Sequence, residues 1–138
     1  MSAATVAQSL PEYNLLKRME GIRMANEKNY NGWHNYETWD VKLWLDNDAG
    51  SQELQREWAK QAREEKRDFL KIHPNWPVRE PTGILADIVK DFIEECTPEL
   101  GASMFSDLLN AAIGEVDWYE IAEAILEDNP AEAEEIEA

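Results

Sequence analysis

Residues 83–96 read GILADIVKDFIEEC, and the class of the whole fold can be inferred from them. Their large apolar residues recur as adjacent pairs every four positions: Ile84, Leu85, Ile88, Val89, Phe92 and Ile93. That spacing gathers them on one face of an α-helix and leaves the acidic residues for the opposite face. The stretch therefore predicts a helix from Gly83 to Cys96 with one buried face.

Two more helices are predicted after this one. Thr97-Pro98 combines an N-cap residue with a proline suited to the first helical position, so a new helix is expected to begin there and to end at Gly114. The residues that this helix is predicted to bury are Leu100, Met104, Phe105, Leu108, Leu109 and Ala112. Asp117 is the predicted N-cap of the last helix, with Glu120 at its third position, and Asn129-Pro130 ends it.

Three helices are predicted before residue 83. The first runs from Leu10 to Asn26, and the second begins near Asn35 and ends in the turn-forming residues 46–50. The third runs from Gln52 to Leu70 with Ser51 as its N-cap. A short strand is the alternative for the second segment, because four apolar residues alternate in it: Trp39, Val41, Leu43 and Leu45.

These segments predict an all-α fold, a compact single domain of about six helices over residues 9–129. Residues 1–8 are expected to be disordered, and residues 130–138 form an acidic tail. A proline-rich linker over residues 73–81 separates a near-neutral half of the chain from an acidic half; its prolines are Pro74, Pro77 and Pro81.

The bulk composition fits a small globular protein. The chain has 138 residues, 43% of them hydrophobic, which is enough for one core. Its single cysteine rules out an intrachain disulfide and suits a reducing compartment. No secretory signal and no membrane-spanning run is expected from the sequence, so the predicted location is the cytoplasm.

The charge is distributed unevenly. Residues 1–71 hold 11 Lys or Arg and 12 Asp or Glu, for a net charge of −1, whereas residues 72–138 hold 2 and 17, for a net charge of −15. Such a carboxylate-rich surface repels nucleic acid and anionic membrane and attracts basic proteins. We therefore expect a basic protein partner, no direct binding of nucleic acid and no membrane contact.

Two sequence segments resemble a known family. Asn35-Tyr36-Glu37-Thr38-Trp39 is followed by Leu43-Trp44-Leu45-Asp46-Asn47, and residues 105–110 and 116–122 add a second similarity. The pattern resembles a family of small uncharacterised proteins from bacteriophages, plasmids and integrative elements. The resemblance implies an origin in a mobile genetic element, and it implies no known activity and no catalytic residue.

The aromatic residues around this signature have two interpretations. In the structural one, Asn35 caps a helix, and Trp39 and Trp44 fill the core. In the functional one, Trp33, Tyr36 and Trp39 form a patch that anchors a partner, since Trp and Tyr often dominate binding energy.

Metal and catalytic sites are weakly supported. His34, Glu37 and Asp40 are three residues apart and share one side of a helix, but a second ligand pair is missing. A calcium loop over residues 46–57 fails because Ser51 stands where that loop requires glycine. Cys96 is flanked by acidic residues, which do not favour a thiolate. We expect no metal, no cofactor and no enzymatic activity.

The functional expectation is an acidic interaction protein of a phage or mobile element that inhibits a basic, nucleic-acid-binding host protein. Anti-CRISPR or anti-restriction activity, by imitation of DNA phosphates, is its most specific form. The alternative is a helical accessory or structural module of a phage or plasmid that has no inhibitory role and that, in one form, self-associates. The candidate partner-binding residues are Asp87, Asp91, Glu94, Glu95, Glu120, Glu123, Glu127, Trp33 and Tyr36.

Overall fold

The computed structural model describes residues 29–132, and within this range the chain is built from five α-helices. They are α1 (Tyr36–Asp46), α2 (Ala49–Ile72), α3 (Pro81–Cys96), α4 (Met104–Gly114) and α5 (Trp118–Asp128). The predicted all-α class is confirmed, and the predicted helix from Leu10 to Asn26 lies outside the described residues. The strand considered for residues 39–45 is wrong, since these residues form the middle of α1. No described helix is both long and apolar enough to cross a membrane.

The core forms where α3 packs against α2 on one side and α5 on the other, while α1 contacts α2 and α5. The alanines at positions 59, 62, 86 and 122 are all buried. Because their side chains are small, the helices can approach each other closely. The larger buried apolar residues are Leu45, Trp58, Leu85, Val89, Val116, Ile121 and Ile125. The rings of Trp58 and Phe92 lie 4.9 Å apart between their centroids and join α2 to α3.

A tight turn precedes α1. Tyr30 and Trp33 form an isolated antiparallel bridge, with N–H to carbonyl distances of 2.8 and 2.7 Å. The two residues between them, Asn31 and Gly32, have φ angles of 47° and 87°. Positive φ at both central positions is typical of the two-residue turns that Asn-Gly favours. The chain thus reverses its direction just before α1 begins.

Two helices begin earlier than the sequence predicted. α2 begins at Ala49, because the carboxylate of Asp48 accepts the N–H of Ser51 at 2.9 Å and so caps the helix. Ser51 was the predicted cap, but it lies inside the first turn. α3 begins at Pro81, where the missing N–H of proline costs nothing. Residues 73–80 therefore form the linker between α2 and α3.

The predicted start of α4 is wrong. Thr97 is the C-cap of α3, and its hydroxyl donates to the carbonyl of Ile93 at 2.9 Å. Gly101 then has a φ of 63°, a left-handed conformation that interrupts a helix. α4 begins only at Met104, where Ser103 and Ser106 form a reciprocal capping box.

The predicted burial of α4 is also wrong. None of its residues is buried, and Met104, Phe105 and Leu108 are 64%, 64% and 61% exposed. Leu100 and Ala112 are exposed as well, while Leu109 is half-buried. The reason is position: α4 lies at the periphery of the bundle and has no extensive contact with another described helix.

Candidate functional site

The start of α1 is hydrogen-bonded to the start of α5. The side-chain oxygen of Asn35 accepts the N–H of Thr38 at 2.9 Å and its hydroxyl at 2.6 Å, which confirms Asn35 as the cap of α1. The Asn35 amide donates to the carbonyl of Glu115 at 2.6 Å. Thr38 is fully buried, and its hydroxyl oxygen accepts the N–H of Asp117 at 2.9 Å. Each polar side-chain atom of Asn35 and Thr38 thus has a hydrogen-bond partner.

Glu120 takes part in the same connection. One of its carboxylate oxygens accepts the backbone N–H of His34 at 3.0 Å, and its own N–H is bound by Asp117 at 3.0 Å. Glu120 was predicted to bind a partner, but it is half-buried and joins the turn before α1 to α5. The two segments that carry the family resemblance are therefore in contact, and these residues have a structural role.

The aromatic patch predicted before α1 is only partly assembled. Tyr36 and Trp39 contact each other and Tyr30, with ring centroids 5.2 to 5.6 Å apart, and Tyr36 is half-exposed. Trp33 packs against the core instead. The expectation that Trp44 fills the core is wrong, because Trp44 is 70% exposed.

Trp44 is exposed because the inward face of α1 is occupied by other residues. Thr38, Lys42 and Leu45 are its buried residues, at spacings of four and three. Lys42 is only 3% exposed and was not expected in the interior. Its ammonium donates to Asp46 at 2.5 Å and to the buried Gln55 at 2.9 Å. Asp128 of α5 lies 3.6 Å away, so Lys42 connects three helices.

The predicted acidic row on α3 is exposed along its whole length. Asp87, Asp91, Glu94 and Glu95 all face solvent. Asp87 is neutralised in part, because Arg79 donates to it at 2.7 Å. The other three carboxylates form no ion pair within residues 29–132. α3 thus presents a carboxylate surface over its last two turns.

The second predicted row lies on α5, where Glu123 and Glu127 are exposed. Because α5 packs along α3, the two rows belong to neighbouring helices. The structure keeps these six acidic side chains of the two rows outside the core, as the helical spacing predicted.

The basic residues of α2 are close to carboxylates. Arg56, Lys60 and Arg63 line a cavity of about 530 Å³ together with Asp128 and Glu132. The hydrogen bond that Arg56 donates to the Glu53 carboxylate, together with the negative charge of Glu53, raises the pKa of Arg56, with smaller contributions from Glu57 and Glu132. These cations are thus surrounded by acidic groups, which makes a phosphate-binding stripe unfavourable.

An apolar groove of about 390 Å³ lies between α1, the end of α3 and α4. Its walls include Val41 of α1, Ile93 of α3 and the three α4 residues Leu109, Ala112 and Ile113. Cys96 opens onto it and is exposed. The sequence interpretation missed this groove, because it placed the apolar residues of α4 in the core.

Within the described range, no group of three or more side chains is arranged to hold a metal ion. The carboxylates of the rejected calcium loop have structural partners, since Asp46 binds Lys42 and Asp48 caps α2. His34 contributes its backbone N–H to Glu120. Glu37 and Asp40 line the apolar groove instead of converging with His34 on an ion.

Comparison with known proteins gives one match. No curated protein and no solved structure matches the chain. Residues 26–135, which include all five described helices, match a family of unknown function, DUF7249. Since the match covers most of the sequence, the chain belongs to that family.

Proposed function

We propose that this protein is an acidic interaction protein that occupies the nucleic-acid-binding surface of a basic protein in a bacterial host. One observation carries the proposal: Asp91, Glu94 and Glu95 are exposed on the last two turns of α3 and form no ion pair within the described residues. Carboxylates without a cationic partner keep their full charge available for a basic surface.

The spacing of these carboxylates suits the imitation of a nucleic acid. Asp91 and Glu95 are one helical turn apart, so their β-carbons are separated by about 5–6 Å. That separation is comparable to the distance between neighbouring phosphates of a nucleic-acid strand. Glu123 and Glu127 are further exposed carboxylates on the adjacent α5. A cationic channel that binds phosphates would therefore bind this surface too.

The expectation from residues 35–39 and 43–47 that the chain originates in a bacteriophage or another mobile element motivates an anti-defence role. Such elements meet restriction and CRISPR systems, whose nucleic-acid channels are strongly basic. Occupation of such a channel would block the bound or incoming DNA without any catalytic residue. Anti-CRISPR or anti-restriction activity is thus the most specific form of the proposal.

A second function is favoured by the exposed apolar residues of α4. A helical accessory module that self-associates would cover Met104, Phe105 and Leu108 with a second copy. The net charge of −16 opposes such an assembly, because two copies repel each other. Light scattering separates the two functions: a monomer supports the interaction protein, and a dimer supports the module.

The direct test is competition with DNA. Proteins of a bacterial lysate are bound to double-stranded DNA cellulose at about 0.1 M salt and eluted with the purified full chain. We expect elution of a small set of nucleic-acid-binding proteins. The triple variant Asp91→Asn, Glu94→Gln, Glu95→Gln should elute much less of that set.

A matched control has the same change in total charge. Glu53→Gln, Glu57→Gln and Glu64→Gln remove three carboxylates from α2 and should elute the same set as the unmodified chain. Equal elution by both triple variants would show that only total charge matters and would contradict the proposal. No elution by the unmodified chain would contradict it as well.

A further inference from the structure

The apolar surface of α4 is wider than its contact with the rest of the protein. At 3.6 residues per turn, its apolar residues cover roughly 200° of the helix circumference. Only Leu109 and Ile113, at one edge of this arc, are half-buried against the bundle. The remaining apolar residues are exposed: Met104, Phe105, Leu108, Ala111 and Ala112. These exposed apolar residues form a face of α4 that no described helix covers, which we call the unused face.

This unused face continues into the groove. Ala112 lines the groove, and Leu108 and Phe105 lie one and two turns before it on the same face of α4. On the opposite wall, Val41 of α1 lines the groove, and Trp44 follows one turn later. α4 is about 16 Å long, which matches about three turns of another helix. The length of this apolar surface therefore suits one bound helix.

The charged residues of the groove are both acidic. They are Glu37 and Asp40, which are half-buried, and neither forms an ion pair within residues 29–132. A carboxylate beside an apolar surface is poorly solvated, so a cation that reaches it gains more than at a fully exposed site. The groove thus combines an apolar floor with a negative rim.

We propose that this groove binds a basic amphipathic helix of the partner protein. The apolar stripe of that helix packs on Leu108, Ala112 and Val41, and its Lys or Arg side chains pair with Glu37 and Asp40. A second copy of this chain is a poor occupant, because it would bring the same two carboxylates together. The proposal goes beyond the acidic surface of α3, since it assigns a different face of the molecule and a defined occupant.

The test uses two synthetic peptides of about 18 residues, five helical turns, with the same leucine stripe. One carries lysine and the other glutamate on its polar face. Binding to the full chain is followed by nuclear magnetic resonance at about 0.15 M salt. We expect the affinity of the lysine peptide to be at least about 10-fold higher than that of the glutamate peptide. The shifted amide signals should belong to Tyr36, Asp40, Ala112 and Ile113.

Variants of the chain separate the two parts of the site. Glu37→Gln together with Asp40→Asn should lower the affinity for the lysine peptide by about fivefold or more. Leu108→Ser should lower the affinity for both peptides. Asp91→Asn with Glu95→Gln on α3 is the matched control and should change neither affinity. Because the control removes charge from the surface used in the DNA competition, failure of one proposal is distinguishable from failure of the other.

Several results would overturn the proposal. Equal affinities of the two peptides, or shifts confined to α3 and α5, would remove the groove as a basic-helix site. A dimer that Leu108→Ser dissociates would assign the groove to a second copy. Nuclear Overhauser contacts between residues 9–26 and Ile113 would assign it to the N-terminal segment of the same chain.

Discussion

The hydroxyl of Thr38 accepts the backbone N–H of Asp117 at 2.9 Å and so connects the first turn of α1 to the N-cap of α5. The two residues are 79 positions apart in the sequence, and Thr38 is fully buried. Asn35 adds a second connection through the carbonyl of Glu115. Asn35 and Thr38 thus hold the first and last described helices together.

We predict that Thr38→Val destabilises the protein by about 1–3 kcal/mol, because the Asp117 N–H loses its acceptor away from water. Urea unfolding followed by circular dichroism measures the change. Thr82→Val is the control, since the Thr82 hydroxyl makes no hydrogen bond in the described structure. Equal stability of the two variants would show that the contact between residues 38 and 117 contributes nothing.

Lys42→Met should cost about 1–3 kcal/mol, because the buried side-chain carbonyl of Gln55 is left without its donor. Asp46 and Asp128 are largely exposed and regain water, so they add little to the loss. Lys90→Met, an exposed change on α3, should stay within about 0.5 kcal/mol. Thermal unfolding of both variants gives the comparison. If Lys42→Met were more stable than the unmodified chain, burial of the ammonium would cost more free energy than its hydrogen bonds and ion pairs contribute.

Among the tryptophans, Trp58 is the most buried and Trp44 is the most exposed. Trp58→Ala should destabilise by about 3–5 kcal/mol, since it removes a buried ring packed on Phe92. Trp44→Ala should change stability by no more than about 0.5 kcal/mol, because the ring is mostly in solvent. Trp118 is half-buried, so its loss should lie between the two. A large loss of stability for Trp44→Ala would place that ring in a contact.

The full chain should not shift a DNA duplex in a gel at about 0.15 M salt and micromolar protein. Arg56, Lys60 and Arg63 share their cavity with Asp128 and Glu132, so their charge is offset locally. A shift that disappears after Arg56→Gln and Lys60→Gln would contradict this prediction. It would identify the cavity as a phosphate site.

Local signals in the sequence predicted much of the fold. Residues 83–96 form a helix as their spacing indicated, and Asp117 caps α5 with Glu120 at the third position. Asn35 caps α1 as well. Each of these features depends on residues within one turn of each other, so sequence order alone contains the information.

The wrong starts of α2 and α4 are local errors, whereas the larger errors concern contacts between distant segments. Periodicity shows that α4 has an apolar face, but it does not show how many neighbours cover that face, and Leu108 remains exposed. Lysine is rarely buried, and the sequence does not show that Gln55 and two acidic residues make the burial of Lys42 tolerable. The groove between α1 and α4 exists because α4 is left uncovered, so the sequence did not predict it.

The carboxylates of α3 should act mainly on the rate of encounter with the partner. The measurement that tests this most directly is the association rate with a protein recovered by the DNA competition, as a function of salt. Asp91→Asn, Glu94→Gln and Glu95→Gln together should slow association about 10-fold at about 50 mM salt, and the difference should disappear near 0.5 M salt. The α2 control should associate like the unmodified chain. Equal rates for all three proteins at every salt concentration would show that the α3 surface is not the one that the partner meets.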